Sequence, residues 1–215
     1  MKPNNPFKSA LFQTASYLML GILTITNTCQ SVFAQVGNSS TQTLAQFSDN
    51  QSQERSQLVQ TANTLINQGD FTGAEENLRK LIKKYPKDAF GYYQLGNVLF
   101  RQGKTEDAIK EYQEAIRLNS KYALAHNAIG VVFASQQRWE EAIAEYNKAL
   151  NINPKYGDAL TNLAQALWQQ GKRNEAIASL EKALKVFKTQ NRPERVEQIE
   201  KILRDLKGND DPTVS

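Results

Sequence analysis

Histidine occurs once in the 215 residues, at position 126, and cysteine once, at position 29. A nucleophile activated by an imidazole, or a metal held by cysteines and histidines, needs several such groups at fixed spacing. The chain has no such spacing, and no glycine-rich loop that could cradle a phosphate. Its carboxylates fall mainly in lysine-interleaved clusters: Glu106, Asp107, Lys110 and Glu111, then Glu140, Glu141, Glu145 and Lys148. Charges of both signs three and four residues apart describe the solvated face of a helix. No enzyme, cofactor or metal is therefore expected, and a hydrolase built on His126 is the one catalytic rival. The groups left to do chemistry are aromatic rings and side-chain amides, which bind.

Those groups recur in register. In steps of 34 from Arg55, one column holds Ala74, Ala108, Ala142 and Ala176, and a second holds Leu58, Tyr92, His126 and Leu160. A third holds Leu65, Leu99, Phe133 and Leu167, and small residues recur as Ala62, Gly96, Gly130 and Ala164. A fixed period of this length marks stacked units, none able to bury its apolar face alone. The units are 55–88, 89–122, 123–156 and 157–190. Within 89–122, Tyr92, Leu95, Gly96 and Leu99 share one helical face; after Gly103 come Ala108, Ile109, Tyr112, Ala115 and Ile116. Each unit is thus a helical hairpin, and the fold class is all-α. Gly69, Gly103 and Gly171 sit where positive φ can end a first helix. Gln137 holds that place in the third unit, which predicts either another turn or local strain. Pro86 and Pro154 end two of the second helices, while Ser120 and Lys188 stand there in the others.

Small residues at Gly96, Gly130, Ala108 and Ala142 let helices approach, and Leu95, Ile129, Leu99, Phe133, Tyr112 and Tyr146 fill the surrounding space. Burying each such side chain contributes about 1.5–3 kcal/mol. One hairpin cannot offset its chain entropy in this way, but four in contact can. The order Tyr92, Leu95-Gly96, Leu99, Gly103, Ala108, Tyr112, Ala115, with Pro154 closing the third unit, resembles the tetratricopeptide repeat. The first unit departs most, with Thr61-Ala62 for Leu-Gly and Leu81 for the late alanine. The resemblance implies a right-handed superhelical solenoid of four hairpins. A capping helix is expected over 193–207, where Val196, Ile199, Leu203 and Leu206 form one apolar stripe behind Pro193.

In that family the first helix of each hairpin lines a concave groove. The resemblance therefore implies a groove lined by Val59 and Asn63, then Phe90, Tyr93, Gln94, Asn97, Phe100 and Arg101. The third unit adds Asn127 and Val131, and the fourth adds Asn162, Gln165 and Trp168. An amide offers both donor and acceptor, which suits the backbone of an extended peptide. Phe90, Tyr93, Phe100 and Trp168 offer apolar anchor points, whereas Trp139, near a turn, reads as inter-repeat core. One subtype of the family grips a carboxyl-terminal peptide with asparagines and cations. Asn63 and Asn97 match its first asparagine, but Val59 and Tyr93 replace its lysine, and Leu124 and Ala128 replace its next basic pair. That subtype is disfavoured.

At the amino terminus Lys2 and Lys8 precede an apolar stretch from Ala10 to Ile25, and Val32-Phe33-Ala34 precede Gln35. This is the layout of a secretory signal peptide, 1–34. Gln13, Thr14 and Ser16 interrupt the stretch, which falls short of the roughly 18–20 apolar residues of a spanning helix. An uncleaved membrane anchor is the alternative. Cleavage would remove Cys29 and leave no thiol. Residues 35–54, rich in Gln, Ser, Thr and Asn, read as a flexible polar linker, and 208–215 as a disordered tail. The net charge of +4 is dispersed among acids, with Arg79-Lys80 and Lys83-Lys84 the one local basic patch. Tracking phosphates needs a continuous stripe, so no nucleic-acid partner is expected.

The expectation is an exported adaptor, in periplasm, lumen or extracellular space, that binds a protein or peptide segment in its groove. Its role would be assembly or maintenance of an envelope or lumenal complex. The alternative is a self-associating homo-oligomer that uses its last helix. Amino-terminal sequencing of exported material should find a start at or close to Gln35; retention of Lys2 would mark an anchor instead.

Overall fold

The computed structural model describes Gln46 and residues 49–208. The expected signal segment 1–34, most of the expected linker and all of the expected tail but Gly208 lie outside the described residues. Contacts divide the chain into two units, Met1–Glu54 and Arg55–Ser215. In the first, residues 49–54 are helical, with Ser52 Oγ donating to Asp49 O at 2.8 Å. Helix therefore reaches into the stretch expected to be linker, where Gln51, Gln53 and Glu54 all favour helix.

In the second unit the described residues form helices joined by short turns, without strands. Residues 55–68 form α1, followed by α2 (Phe71–Lys84), α3 (Ala89–Arg101), α4 (Thr105–Leu118) and α5 (Ala123–Ser135). Then come α6 (Trp139–Ile152), α7 (Gly157–Gln169), α8 (Arg173–Thr189) and α9 (Pro193–Gly208). Hairpins α3–α4, α5–α6 and α7–α8 pack internally, and α2–α3, α4–α5 and α6–α7 pack between hairpins. α5 also touches both α3 and α7, so the first helices form one layer of an all-α solenoid.

The turns inside the hairpins share one geometry. Gly69, Gly103 and Gly171 have φ of 78°, 78° and 74°, and Gln137 follows them at 57°. The same closing bond recurs: Lys104 N to Leu99 O, Arg138 N to Phe133 O and Lys172 N to Leu167 O, each 2.9 Å. The third repeat thus keeps the turn and accepts a left-handed non-glycine residue, at a cost of about 1–2 kcal/mol. Arg138 braces that turn, its guanidinium 4.3 Å from the Phe133 ring and its Nη1 donating to Gln136 Oε1 at 3.0 Å.

The connections between hairpins do not require proline. α4 ends at Leu118 before Ser120 much as α6 ends at Ile152 before Pro154. In both loops an asparagine side chain holds the chain, Asn119 accepting from Lys121 N and Asn153 from Lys155 N, each at 3.1 Å. α8 behaves differently. It passes Lys188, ends at Thr189, and turns at Asn191 with φ of 52° and Arg192 N bonded to Phe187 O at 3.0 Å. That is the turn used inside hairpins, so α9 folds directly back on α8. Ile199 and Leu203 are buried there, and Val196, Ile202 and Leu206 pack partly around them.

Helices approach closely at the small-residue column. A Cβ built on Gly96 would stand 2.5 Å from Tyr112 Cε1, and one on Gly130 would stand 2.5 Å from Tyr146 Cε1. The tyrosine rings lie on bare backbone. In the first and fourth repeats the column holds Ala62 and Ala164, and the residue 16 further on is Leu78 or Leu180 instead of tyrosine. All four of these are buried. Small-with-large and medium-with-medium pairs thus keep the local volume similar. Two buried clusters result, one running from Ala62 to Val132 and one from Ala142 to Leu203, with Phe133 packed against both. Gly130→Ala should lower unfolding free energy by about 1–3 kcal/mol in urea denaturation. Adding Tyr146→Leu should recover part of that loss, because it recreates the fourth repeat's pairing; strictly additive losses would show that the two sites do not share the space.

Candidate ligand groove

Three clefts open along the first-helix layer. The largest of them, about 580 Å³, lies between α1 and α3 and is lined by Asn63, Ile66, Asn67, Gln94, Asn97, Phe100 and Arg101, with Phe71 and Val98 completing it. A second, about 240 Å³, lies between α5 and α7 and includes Val131, Trp139, Tyr146, Asn162 and Gln165. In the third, about 250 Å³, Thr161, Gln165 and Trp168 of α7 face Gln198, Ile202 and Leu206 of α9. The period explains the recurrence: Asn63, Asn97, Val131 and Gln165 share one column, and Ile66, Phe100, Ala134 and Trp168 another. α9 borders the layer as a wall and leaves the first two clefts clear of itself.

The amides expected to face a ligand largely hold one another. Gln94 Nε2 donates to Asn63 Oδ1 at 3.1 Å, and Asn97 Nδ2 donates to Gln94 Oε1 at 2.9 Å. Tyr112 OH completes the chain with a 2.9 Å bond to Asn97 Oδ1. Between the third and fourth repeats Asn162 Nδ2 donates to Asn127 Oδ1 at 3.0 Å. These bonds brace neighbouring first helices and occupy acceptor positions that a ligand backbone would otherwise use. Asn63 is left presenting N–H donors.

The aromatics separate into frame and surface. Tyr93 is wedged between repeats, its ring centroid 5.9 Å from Tyr112 and 5.4 Å, edge-on, from Tyr122. It is therefore a brace and not an open anchor. Phe90 lies apart from the three clefts, in a concavity of about 620 Å³ at the inter-repeat loops with Tyr85, Pro86, Lys87 and Tyr122. Val59 packs half-buried against the amino-terminal core, and Trp139 against the carboxyl-terminal one. Phe100 is half-buried at the first cleft. Trp168 is 38% exposed, with the Arg173 guanidinium 5.4 Å from its ring. Arg101 is exposed.

His126 is a structural link. Its Nδ1 lies 2.7 Å from Glu145 Oε2, joining α5 to α6, with both side chains 13% exposed. Glu145 Oε1 in turn accepts from Lys148 Nζ at 2.7 Å. Neither residue lines the three clefts. Among the described residues no group of three His, Cys, Asp or Glu is placed to hold a metal.

One positioning column escapes the apolar pattern. Gln68, Gln102, Gln136 and Gln170 repeat at 34 residues. Gln102 Nε2 reaches Phe71 O at 3.0 Å, and Gln136 Nε2 reaches Thr105 Oγ1 at 3.3 Å, each tying a first helix's end to the preceding second helix. Its signal was identity at the period, in polar residues. Arg55 of α1 and Asp88, joined by two bonds of 2.7 and 3.0 Å, tie α1 to the start of α3, which Asp88 caps.

Helical hairpins at a constant period around an open first-helix layer define a repeat solenoid, a class of interaction scaffold. Tetratricopeptide repeat profiles match residues 58–88, 93–157 and 133–194, and the chain belongs to the tetratricopeptide repeat family. That family is a protein-interaction fold, generally without catalysis. The chain is similar to the crystal structure of MamA, at 30% identity over 62% of this chain and 78% of that one, with a TM-score of 0.57. A tetratricopeptide repeat protein from Parabacteroides merdae ATCC 43184 shares the fold at 23% identity, over 73% and 61% of the two chains, with a TM-score of 0.58. MamA 41-end from Desulfovibrio magneticus RS-1 does so at 14% identity, over 73% and 97%, with a TM-score of 0.55. No curated protein sequence matches the chain.

Burial raises the phenol pKa of Tyr112 and Tyr146, raises that of Tyr156, and pushes Tyr122 up to about 12, with Tyr93 adding to the effect at Tyr112, Tyr122 and Tyr156. A folded value above the ordinary phenol value of about 10 means that the unfolded chain loses these protons first. The stability from burying neutral phenols is therefore intact below about pH 10 and is lost as pH rises through the folded values. Above that pH, phenolate absorbance of these rings should grow together with loss of helical circular dichroism. Full phenolate absorbance with helicity intact would contradict their burial.

Proposed function

We propose that this chain is an exported, non-catalytic adaptor that holds an extended segment of a partner protein along its first-helix layer. Its role is assembly or maintenance of an envelope or lumenal complex. The observation that supports this reading most is the first cleft, where amide donors and apolar walls sit on a frame braced from repeat to repeat. Phe100 and Trp168 supply apolar contact area, and Asn63, Asn67 and Gln165 supply hydrogen-bonding groups for a backbone. The braces keep the site in one arrangement before binding, which limits the ordering cost of association. Export is inferred from Lys2, Lys8, the apolar stretch and Ala34.

The self-associating alternative needs an apolar face on α9. Ile199 and Leu203 are already buried in the carboxyl-terminal core, and the exposed positions of α9 include Glu194, Glu197, Lys201, Arg204 and Asp205. The combined change Phe100→Ala and Trp168→Ala should reduce crosslinked capture of the partner from the native source by about tenfold or more, a loss typical of anchor residues, with helicity unchanged. Capture at wild-type level would remove the groove assignment, and a stable homodimer across a concentration series would favour the alternative.

A further inference from the structure

The first cleft carries one charge and nothing beside it to neutralise that charge. Of its lining residues only Arg101 is ionised, and no carboxylate borders it. Among the described residues the Arg101 side chain enters no hydrogen bond or ion pair. The fold does not require a cation there, because Asn67, Ser135 and Gln169 hold the equivalent place in the other repeats. The floor next to Arg101 is apolar, with Phe100, Ile66 and Val98. Asn63, its carbonyl already taken by Gln94, lines the same cleft with N–H donors to spare. A cation and donors around an apolar floor match one ligand chemistry: an anionic acceptor beside an apolar side chain.

We propose that the first cleft selects a partner segment in which an aliphatic or aromatic residue stands within a few positions of an aspartate or glutamate. The apolar side chain packs on Phe100 and the carboxylate pairs with Arg101. The carboxylate is an internal side chain and not a chain terminus, since Val59, Tyr93, Leu124 and Ala128 leave no further cations to grip a terminus. An exposed cation of this kind contributes more to selectivity and encounter rate than to affinity. This inference rests on the groove reading above and adds its specificity.

The test uses the full chain and an array of terminally blocked glycine–serine decapeptides. Each carries one leucine or phenylalanine and, one to three places away, aspartate, asparagine or lysine. Aspartate peptides should be retained about fivefold more than asparagine peptides, the size of an exposed ion pair, and lysine peptides least. Arg101→Gln should lower retention of aspartate peptides to the level of asparagine peptides, and Arg101→Glu should turn the preference toward lysine. Both variants alter an exposed side chain, and circular dichroism checks their fold. Equal retention of aspartate and asparagine peptides by the wild type, with Phe100→Ala lowering both, would overturn the inference and leave the groove reading standing. Retention indifferent to Phe100→Ala would overturn both, and retention of no peptide would overturn the inference alone.

Discussion

The close approach of a tyrosine ring to bare glycine backbone sets the geometry on which the rest depends. Where Tyr112 lies on Gly96 and Tyr146 on Gly130, first and second helices meet at a distance that no side chain on the first helix would permit. Interiors pack at crystal-like density, so a fixed approach inside each hairpin propagates to the next hairpin through the residues around it. The exchange of glycine–tyrosine for alanine–leucine in the outer repeats keeps that approach in another form. Periodicity in the chain is therefore periodicity in volume, and only secondarily in residue identity.

A braced layer has consequences for recognition. The amides of Asn63, Gln94, Asn97, Asn127 and Asn162 hold adjacent repeats in register, so much of their hydrogen-bonding capacity is spent within the protein. What remains for a visitor is sparse and directional: N–H groups, the Phe100 and Trp168 rings, and the Arg101 guanidinium. Charge elsewhere sits mainly on the second helices and is paired across exposed surface, as in Lys110–Asp107 and Arg117–Glu114. Such pairs add little stability. They keep that face soluble and leave the first-helix layer nearly uncharged.

The two ends of the stack are finished differently. At the amino end Arg55 reaches forward to Asp88. At the carboxyl end α8 runs past the position where earlier repeats break, and Phe187 fills the space beside Gly157, whose added Cβ would stand 2.6 Å from that ring. α9 then returns along α8, and Arg173 bonds to the Leu206 carbonyl near its end. The last hairpin is thereby shielded by a helix that also walls the third cleft.

By itself the chain determined the period, the hairpins, the turn positions and the apolar columns, because spacing along one helix is a local property and burial follows it. The capping stripe of α9 was legible for the same reason. Tertiary structure alone decided that Gln137 would copy a glycine turn, since packing of the flanking helices outweighs a local backbone preference. It also decided that Tyr93 braces and Phe100 does not, and that Phe90 lies elsewhere. Residues three or seven apart on one helix look alike in sequence, and only the neighbouring repeat's distance separates a ring that is covered from one that is open. The amide braces were hidden for a related reason: an asparagine facing a groove and an asparagine facing another asparagine have the same spacing, and their difference lies in the partner across the gap.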